Sequence, residues 1–305
     1  METVKAQKII LPDGRTLGFA EYGQPKGRPV FFFHGTPGSH LDWELVGDEA
    51  TACRLGIRLI AVDRPGMGES DFLPGRRFLD WPDDVTSLAD ALGLECFSVL
   101  GYSSGGAYAL ACALKIPERL QRVTVVSGDG PYYMPGLTEG LGAFELRGLH
   151  LSHSAPWLYR LVLRSFGWSA RFFSSIFMAG FRASLLQADL LVSQLPDFSR
   201  RLRATMLEAL HQGPRGPQWD TAVMMGAWDF HPQDITFPVS LWYGKADKST
   251  SPAMGIYFSH TIPYNMAYFF SGEGHISLIH NYLDRILLSL VGPNSDDEMV
   301  VNMGA

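Results

Sequence analysis

Cysteine is scarce in this 305-residue chain. Cys53, Cys96 and Cys112 are far apart and odd in number, so neither a disulfide framework nor a zinc-type spacing can be drawn from them. Cys96 and Cys112 fall in apolar runs and are expected as buried free thiols. No apolar run approaches the ~20 residues that cross a bilayer. The opening METVKAQKII has no apolar core behind a basic region, so no secretory leader is expected and the expected location is cytoplasmic. Positive charge is in deficit, with 25 Lys and Arg against 31 Asp and Glu and a net charge of -6. A mildly acidic chain gains nothing from phosphate backbones, which argues against nucleic acid as a partner. Internal repeats and low-complexity tracts are missing as well.

What is present is a globular composition, 46% hydrophobic and 18% charged, enough for one large domain with an insertion. KIILPDGRTLGFAEYG reads as two strands around the turn dipeptide Asp13-Gly14. PVFFFHG, IRLIAVDRPG, CFSVLGYS and RVTVVSGDG are short continuous apolar runs, as strands buried on both faces would be. Between them WPDDVTSLADALGL and SGGAYALACALKIPERL have helical spacing, the second stopped near Pro117. Strands alternating with helices predict a parallel sheet covered on both faces. After Pro131 the alternation gives way to helix after helix until about Asp234, and it resumes at FPVSLWYGKAD. The expected division is a core of 1–131 and 235–305, a helical cap of 132–234 between them, and an acidic frayed tail from about 293.

SVLGYSSGGAYALACAL carries the chemistry. Gly101-Tyr102-Ser103-Ser104-Gly105 fits G-x-S-x-G between a strand and a helix, where a serine sits on a tight strand-to-helix turn. The register selects Ser103, because centring on Ser104 would put Tyr102 in the place of the first glycine. Ser104 then follows the nucleophile, and its backbone N–H points at a developing oxyanion beside the helix N-terminus. Taken alone, the five residues equally fit a glycine-rich helix start with no chemistry.

HGTPGS after one strand, DRPGMGES after the next and GYSSGG, in that order, resemble the α/β-hydrolase superfamily in its capped, H-G-x-P-G-containing branch. The resemblance covers nearly the whole chain outside the insertion. It implies an α/β fold with a mostly parallel, eight-stranded sheet, helices on both faces and an inserted helical cap. It also implies Thr36 as the second oxyanion donor, His34 as a brace of its loop, and Asp63, Arg64, Gly66 and Gly68 as scaffold, with a buried Asp–Arg pair among them. The family order of serine, acid and histidine places the acid at Asp247, in LWYGKAD, and the base at His275, in FFSGEGH. Asp129, in VVSGDG, stands where some members keep their acid and is the alternative. His280 is expected to face away and Glu273 to be exposed.

This constellation implies acyl transfer to water through a seryl intermediate, with no cofactor and no metal. The expected substrate is a small, apolar, uncharged carboxylic ester. Two alternatives stay open. H-G-x-P-G also resembles the proline iminopeptidases, although Thr36, DRPG and GYSSG depart from their H-G-G-P-G, D-Q-R-G and G-G-S-W-G. The other is a hydrolase-fold ligand-binding protein or receptor with vestigial activity. The insertion is rich in Tyr132, Tyr133, Met134, Trp157, Leu161, Phe172, Phe173, Phe177, Met178 and Phe181, with Arg160, Arg164, Arg171 and Arg182 among them. Most of the apolar residues are expected to form the cap's own core and its contact with the sheet, a minority an apolar substrate pocket. An amphipathic lid on lipid is the weaker reading, since the polar face is not continuous, and membrane contact is not expected.

Overall fold

The computed structural model describes residues 4–292, so the tail expected from about 293 lies outside the described residues. The chain opens with the hairpin β1 (Gln7–Ile10) and β2 (Thr16–Gly23), then β3 (Arg28–Phe33), α1 (Asp42–Val46), α2 (Glu49–Arg54) and β4 (Ile57–Val62). There follow α3 (Trp81–Ala91), β5 (Phe97–Tyr102), α4 (Gly105–Lys115) and β6 (Leu120–Val126). Six helices come next: α5 (Ala143–Ser154), α6 (Pro156–Phe172), α7 (Ser174–Ser184), α8 (Gln187–Val192), α9 (Phe198–Ala209) and α10 (Arg215–Met225). The chain returns to the sheet with β7 (Val239–Gly244), α11 (Pro252–Thr261), β8 (Asn265–Phe270) and α12 (His275–Val291).

The eight strands lie in the order β1-β2-β4-β3-β5-β6-β7-β8. From β4 to β8 every pair is parallel, and β1 and β2 join antiparallel at one edge. The VFFF run shows why the central strands have no polar alternation. Phe31 and Phe33 enter the core shared with α3, α4 and α11, whereas Val30 and Phe32 enter the core shared with α1, α2 and α12. All four are fully buried, each phenylalanine contributing about 2–3 kcal/mol.

Two expectations need correction here. Cys112 is buried but Cys96 is exposed, because it precedes Phe97, the first residue of β5. The insertion has a core of its own, made by Ala170, Phe177, Met178, Val192, Phe198 and Leu202 with Ile276 of α12. Yet Tyr133, Trp157, Leu161, Phe172 and Phe173 lie outside it and are exposed to solvent. Tyr132 and Met134 pack against the sheet core instead, so five of the ten pack neither there nor in the insertion's own core.

The turn from β5 into α4 is squeezed against the rest of the sheet. A Cβ on Gly105 would lie 2.1 Å from the Phe33 carbonyl oxygen, and one on Gly101 would lie 2.6 Å from the Gly105 carbonyl oxygen. Both obstacles are backbone and cannot swing aside. Gly105→Ala should therefore cost about 3 kcal/mol, the upper end for overpacking, read as a lower urea midpoint at unchanged slope. An unchanged midpoint would contradict this packing.

Candidate active site

Ser103 sits between β5 and α4 with φ of 55°, a left-handed conformation that a non-glycine residue holds only when its surroundings over-determine it. Those surroundings are hydrogen bonds on both sides. Ser103 N–H donates to the Val126 carbonyl (3.0 Å), and its own carbonyl accepts from Gly106 N–H (2.9 Å) and Asp129 N–H (3.2 Å). The turn thus lifts the side chain out of the strand at the carboxyl end of the sheet. The loop after β3 passes next to it, since a Cβ built on Gly35 would lie 3.6 Å from Ser103 Oγ.

That loop is braced from below. His34 is fully buried. Its Nε2 accepts from Arg64 N–H (3.1 Å), which leaves Nδ1 as the donor to the Gly35 carbonyl (2.7 Å). Burial and the Arg64 charge push its pKa down to about 3, so it stays neutral and structural. The expected Asp63–Arg64 pair does not form. Asp63 pairs with His40 Nδ1 (2.9 Å) and accepts from the His40 and Glu69 N–H groups, so its carboxylate is already met by a ring nitrogen and two amides. Arg64 reaches instead to Asp220 on α10 (2.7 Å), which also holds Arg76 (2.5 Å) and the Tyr108 hydroxyl (2.5 Å). Burial works against the Asp220 charge, but the two guanidinium groups outweigh it and hold its carboxyl far below the ordinary range. This pair of arginines and one carboxylate lies wholly out of solvent.

Thr36 and Ser104 meet over this cluster. Ser104 Oγ donates to Thr36 Oγ1 (2.8 Å), Arg64 Nη2 donates to both hydroxyl oxygens (3.0 and 2.8 Å), and Thr36 Oγ1 donates to Asp220. The Thr36 hydroxyl proton is therefore committed, and only backbone N–H groups remain to offer at this corner. Among the described residues neither the Thr36 N–H nor that of Ser104, at the start of α4, donates to a protein acceptor. Pro37 follows with no N–H at all.

Asp247 and His275 are brought together from the ends of β7 and β8. Asp247 is buried; its Oδ1 accepts from Ser249 and Thr250 N–H (2.8 and 2.9 Å) and its Oδ2 from His275 Nδ1 (2.8 Å). With Nδ1–H given to the carboxylate, Nε2 is the nitrogen left to take a proton. Burial alone would lower the His275 pKa. The Asp247 carboxylate outweighs it, helped at longer range by Asp189 and Asp129, and lifts it to about 9. The ring lies 5.0 Å from that of Tyr102, whose hydroxyl donates to the His275 carbonyl (3.3 Å).

Asp129 is not the partner of this imidazole. Its Oδ1 accepts from Tyr132 (2.7 Å) and Thr250 (2.8 Å), and burial pushes its carboxyl up. His280 is exposed and Glu273 half-buried rather than exposed. Three further groups escaped sequence reasoning. Asp189, from α8, accepts the N–H groups of His275, Ile276 and Ser277 (2.9, 2.9 and 2.8 Å), so an insertion carboxylate caps the helix that begins with the histidine. Glu145, from α5, is half-buried beside the His275, Asp129 and Asp247 charges; burial raises its carboxyl to about 7. Asp42 takes Gly35 N–H (3.2 Å) and the Thr205 hydroxyl of α9, and burial, only partly offset by those bonds, raises its carboxyl to about 6. Among the described residues there is no group of three or more His, Cys, Asp or Glu side chains arranged to hold a metal.

A sequence profile described as the alpha/beta hydrolase fold matches residues 28–282. The chain is similar to a 2-hydroxymuconate semialdehyde hydrolase of Pseudomonas sp. (strain CF600), 34% identical over 38% of this chain and 41% of that one. It is also similar to a non-heme chloroperoxidase of Streptomyces lividans, 34% identical over 40% of this chain and 45% of that one. The match thus spans less than half the length of these curated relatives. Among solved structures, the esterase RhEst1 from Rhodococcus sp. ECU1013 superposes with a TM-score of 0.64 at 20% identity, over 92% of this chain and 96% of that one. With the profile extending from β3 into α12 and the sheet order as described, the chain belongs to the alpha/beta hydrolase fold family.

Proposed function

We propose that the protein is a serine hydrolase that cleaves uncharged carboxylic esters, with Ser103 as nucleophile, His275 as general base and Asp247 as its orienting acid. The observation that carries this reading is the 2.8 Å bond from His275 Nδ1 to Asp247, at the same carboxyl end of the sheet as a serine held at φ 55°. Ser103 Oγ attacks the ester carbonyl while Nε2 of neutral His275 takes its proton. The oxyanion accepts from the backbone N–H groups of Thr36 and Ser104. Collapse expels the alcohol, protonated by the imidazolium, and leaves an acyl-serine. Water, deprotonated by the same imidazole, then releases the acid. The inserted helices act as a cap, and Asp189 is a positioning residue that fixes where α12 begins.

Glu145 bears on the aminopeptidase alternative, because a substrate amine needs a fixed negative charge. A single carboxyl raised to about 7 by burial is a weak counterion. This favours uncharged acyl groups, and an apolar pocket gains ~25 cal/mol per Å² of ester surface it buries.

Ser103→Ala should lose at least ~10⁴-fold in kcat on p-nitrophenyl esters with its fold intact, while Ser104→Ala, whose N–H is retained, keeps most activity. The reverse pattern would refute the register. For the base, activity requires neutral imidazole, so kcat/KM rises with pH. The sequence alone suggests a limb near ~6–7; with Asp247 bonded to the ring it should lie higher, toward about 9. Asp247→Asn should cost ~10⁴-fold and Asp129→Asn little. Asp189→Asn should move the limb down, since one negative charge near the imidazole is lost, and cut kcat by about 10-fold through misplacement; a drop with no shift in the limb would make Asp189 merely structural. Finally, kcat/KM on p-nitrophenyl acetate through octanoate should exceed that on prolyl-p-nitroanilide. A prolyl amide better than every ester would transfer the assignment to aminopeptidase chemistry.

A further inference from the structure

Among the described residues, the exposed side of α6 has no packing partner. Trp157, Leu161, Trp168 and Phe172 recur at spacings of four, seven and four residues, so they share one helical face, and Arg164 falls between them in the same stripe. Trp157 is 66% exposed and Trp168 65%. The face continues into α7 through Phe173 and Ile176, the latter 68% exposed. Side chains of this size present on the order of 100 Å² apiece, so this clustering of large exposed apolar side chains differs from the scattered single residues normal for a surface. The Trp168 and Phe172 rings pack together at 5.1 Å, and the Arg171 guanidinium lies 5.6 Å over Phe172.

The charge of this segment is opposite to that of the chain. From Ala143 to Ser184 there are five arginines and one acid, Glu145, in a protein of net charge -6. Arg160 is tied to Gln218 and Arg182 to the Ser193 carbonyl. Arg147, Arg164 and Arg171 are exposed, and among the described residues none forms an ion pair. No aspartate or glutamate occurs anywhere in α6 or α7.

We infer that this face of α6 and α7 docks on a bilayer containing anionic phospholipid. Tryptophan rings sit well at the boundary of headgroup and acyl chain, and guanidinium groups pair with lipid phosphates in the plane above. A second copy of the chain fits poorly, because a self-complementary contact would set arginine against arginine with no acid on the face. The docking is peripheral: no described helix is long and apolar enough to cross a membrane. The inference departs from the expectation from sequence because the packing leaves Trp157, Leu161, Trp168 and Phe172 outside. Docking is independent of the proposed ester chemistry, although the same insertion supplies Asp189 and Glu145 to the surroundings of His275.

The test is flotation of the full chain with vesicles of phosphatidylcholine alone or of phosphatidylcholine and phosphatidylglycerol in equal parts. The protein should float with the mixed vesicles at least ~10-fold more tightly than with the neutral ones, and Ser103→Ala should float equally well. The double variants Trp157→Ser/Trp168→Ser and Arg164→Glu/Arg171→Glu should each lose ~10-fold or more, with circular dichroism and thermal midpoint unchanged. No flotation of the wild type, or flotation that both folded variants retain, would overturn the inference. So would a concentration-dependent dimer that Trp157→Ser/Trp168→Ser dissolves without any vesicle binding, since the face would then belong to a second copy.

Discussion

A carboxylate taken out of water has to be met by opposite charge or by several N–H groups, or it protonates. The carboxyl end of this sheet is built around that requirement. Asp63, Asp220, Asp247 and Asp189 are all buried there, and each is compensated differently. Asp63 has a histidine and two backbone amides, and Asp220 has two arginines. Asp247 has a histidine and two amides, and Asp189 has three helix-start amides and no cation. Removing one partner from such a set strands the other, which is why the geometry around Ser103 is held more rigidly than any surface contact could hold it.

Two of these carboxylates, Asp189 and Asp220, belong to the insertion. Asp220 fixes the hydroxyls of Thr36 and Ser104 through Arg64, and Asp189 fixes the first turn of α12. Thr205 of α9 adds a third tie, to Asp42 beneath the loop of Gly35. The inserted helices are therefore tied by buried hydrogen bonds to the Thr36–Ser104 corner, to the loop of Gly35 and to the first turn of α12. A change in their position would be felt at each of these places, because each shares buried hydrogen bonds with them.

Much of this was legible in the sequence. The strands announce themselves because they are buried on both faces, and the turn from β5 into α4 does so because Gly101 and Gly105 must admit neighbouring backbone. Asp247 and His275 are expected from the family resemblance, which puts an acid and a histidine after the last strands, and the structure joins the two side chains by a hydrogen bond. What was hidden is long-range. The partners of Asp189 are 86 to 88 residues away and the Arg64 partner of Asp220 is 156 away, and a lone acid inside a helix carries no local mark of what it will cap. The five- and six-residue helices α1 and α2 are too short to show a full amphipathic period. Composition also cannot tell a tryptophan that fills the insertion's core from one, such as Trp157, that the packing leaves outside.

The central claim is that Ser103 carries the covalent chemistry. A fluorophosphonate reports on it directly, because only an activated serine oxygen displaces the fluoride and keeps the phosphonyl group. Intact-mass spectrometry should show one adduct per chain, and peptide mapping should place it on Ser103. Preincubation at low pH, where His275 is protonated, should slow its formation. An unlabelled protein, or an adduct mapped to Ser104, would contradict the account.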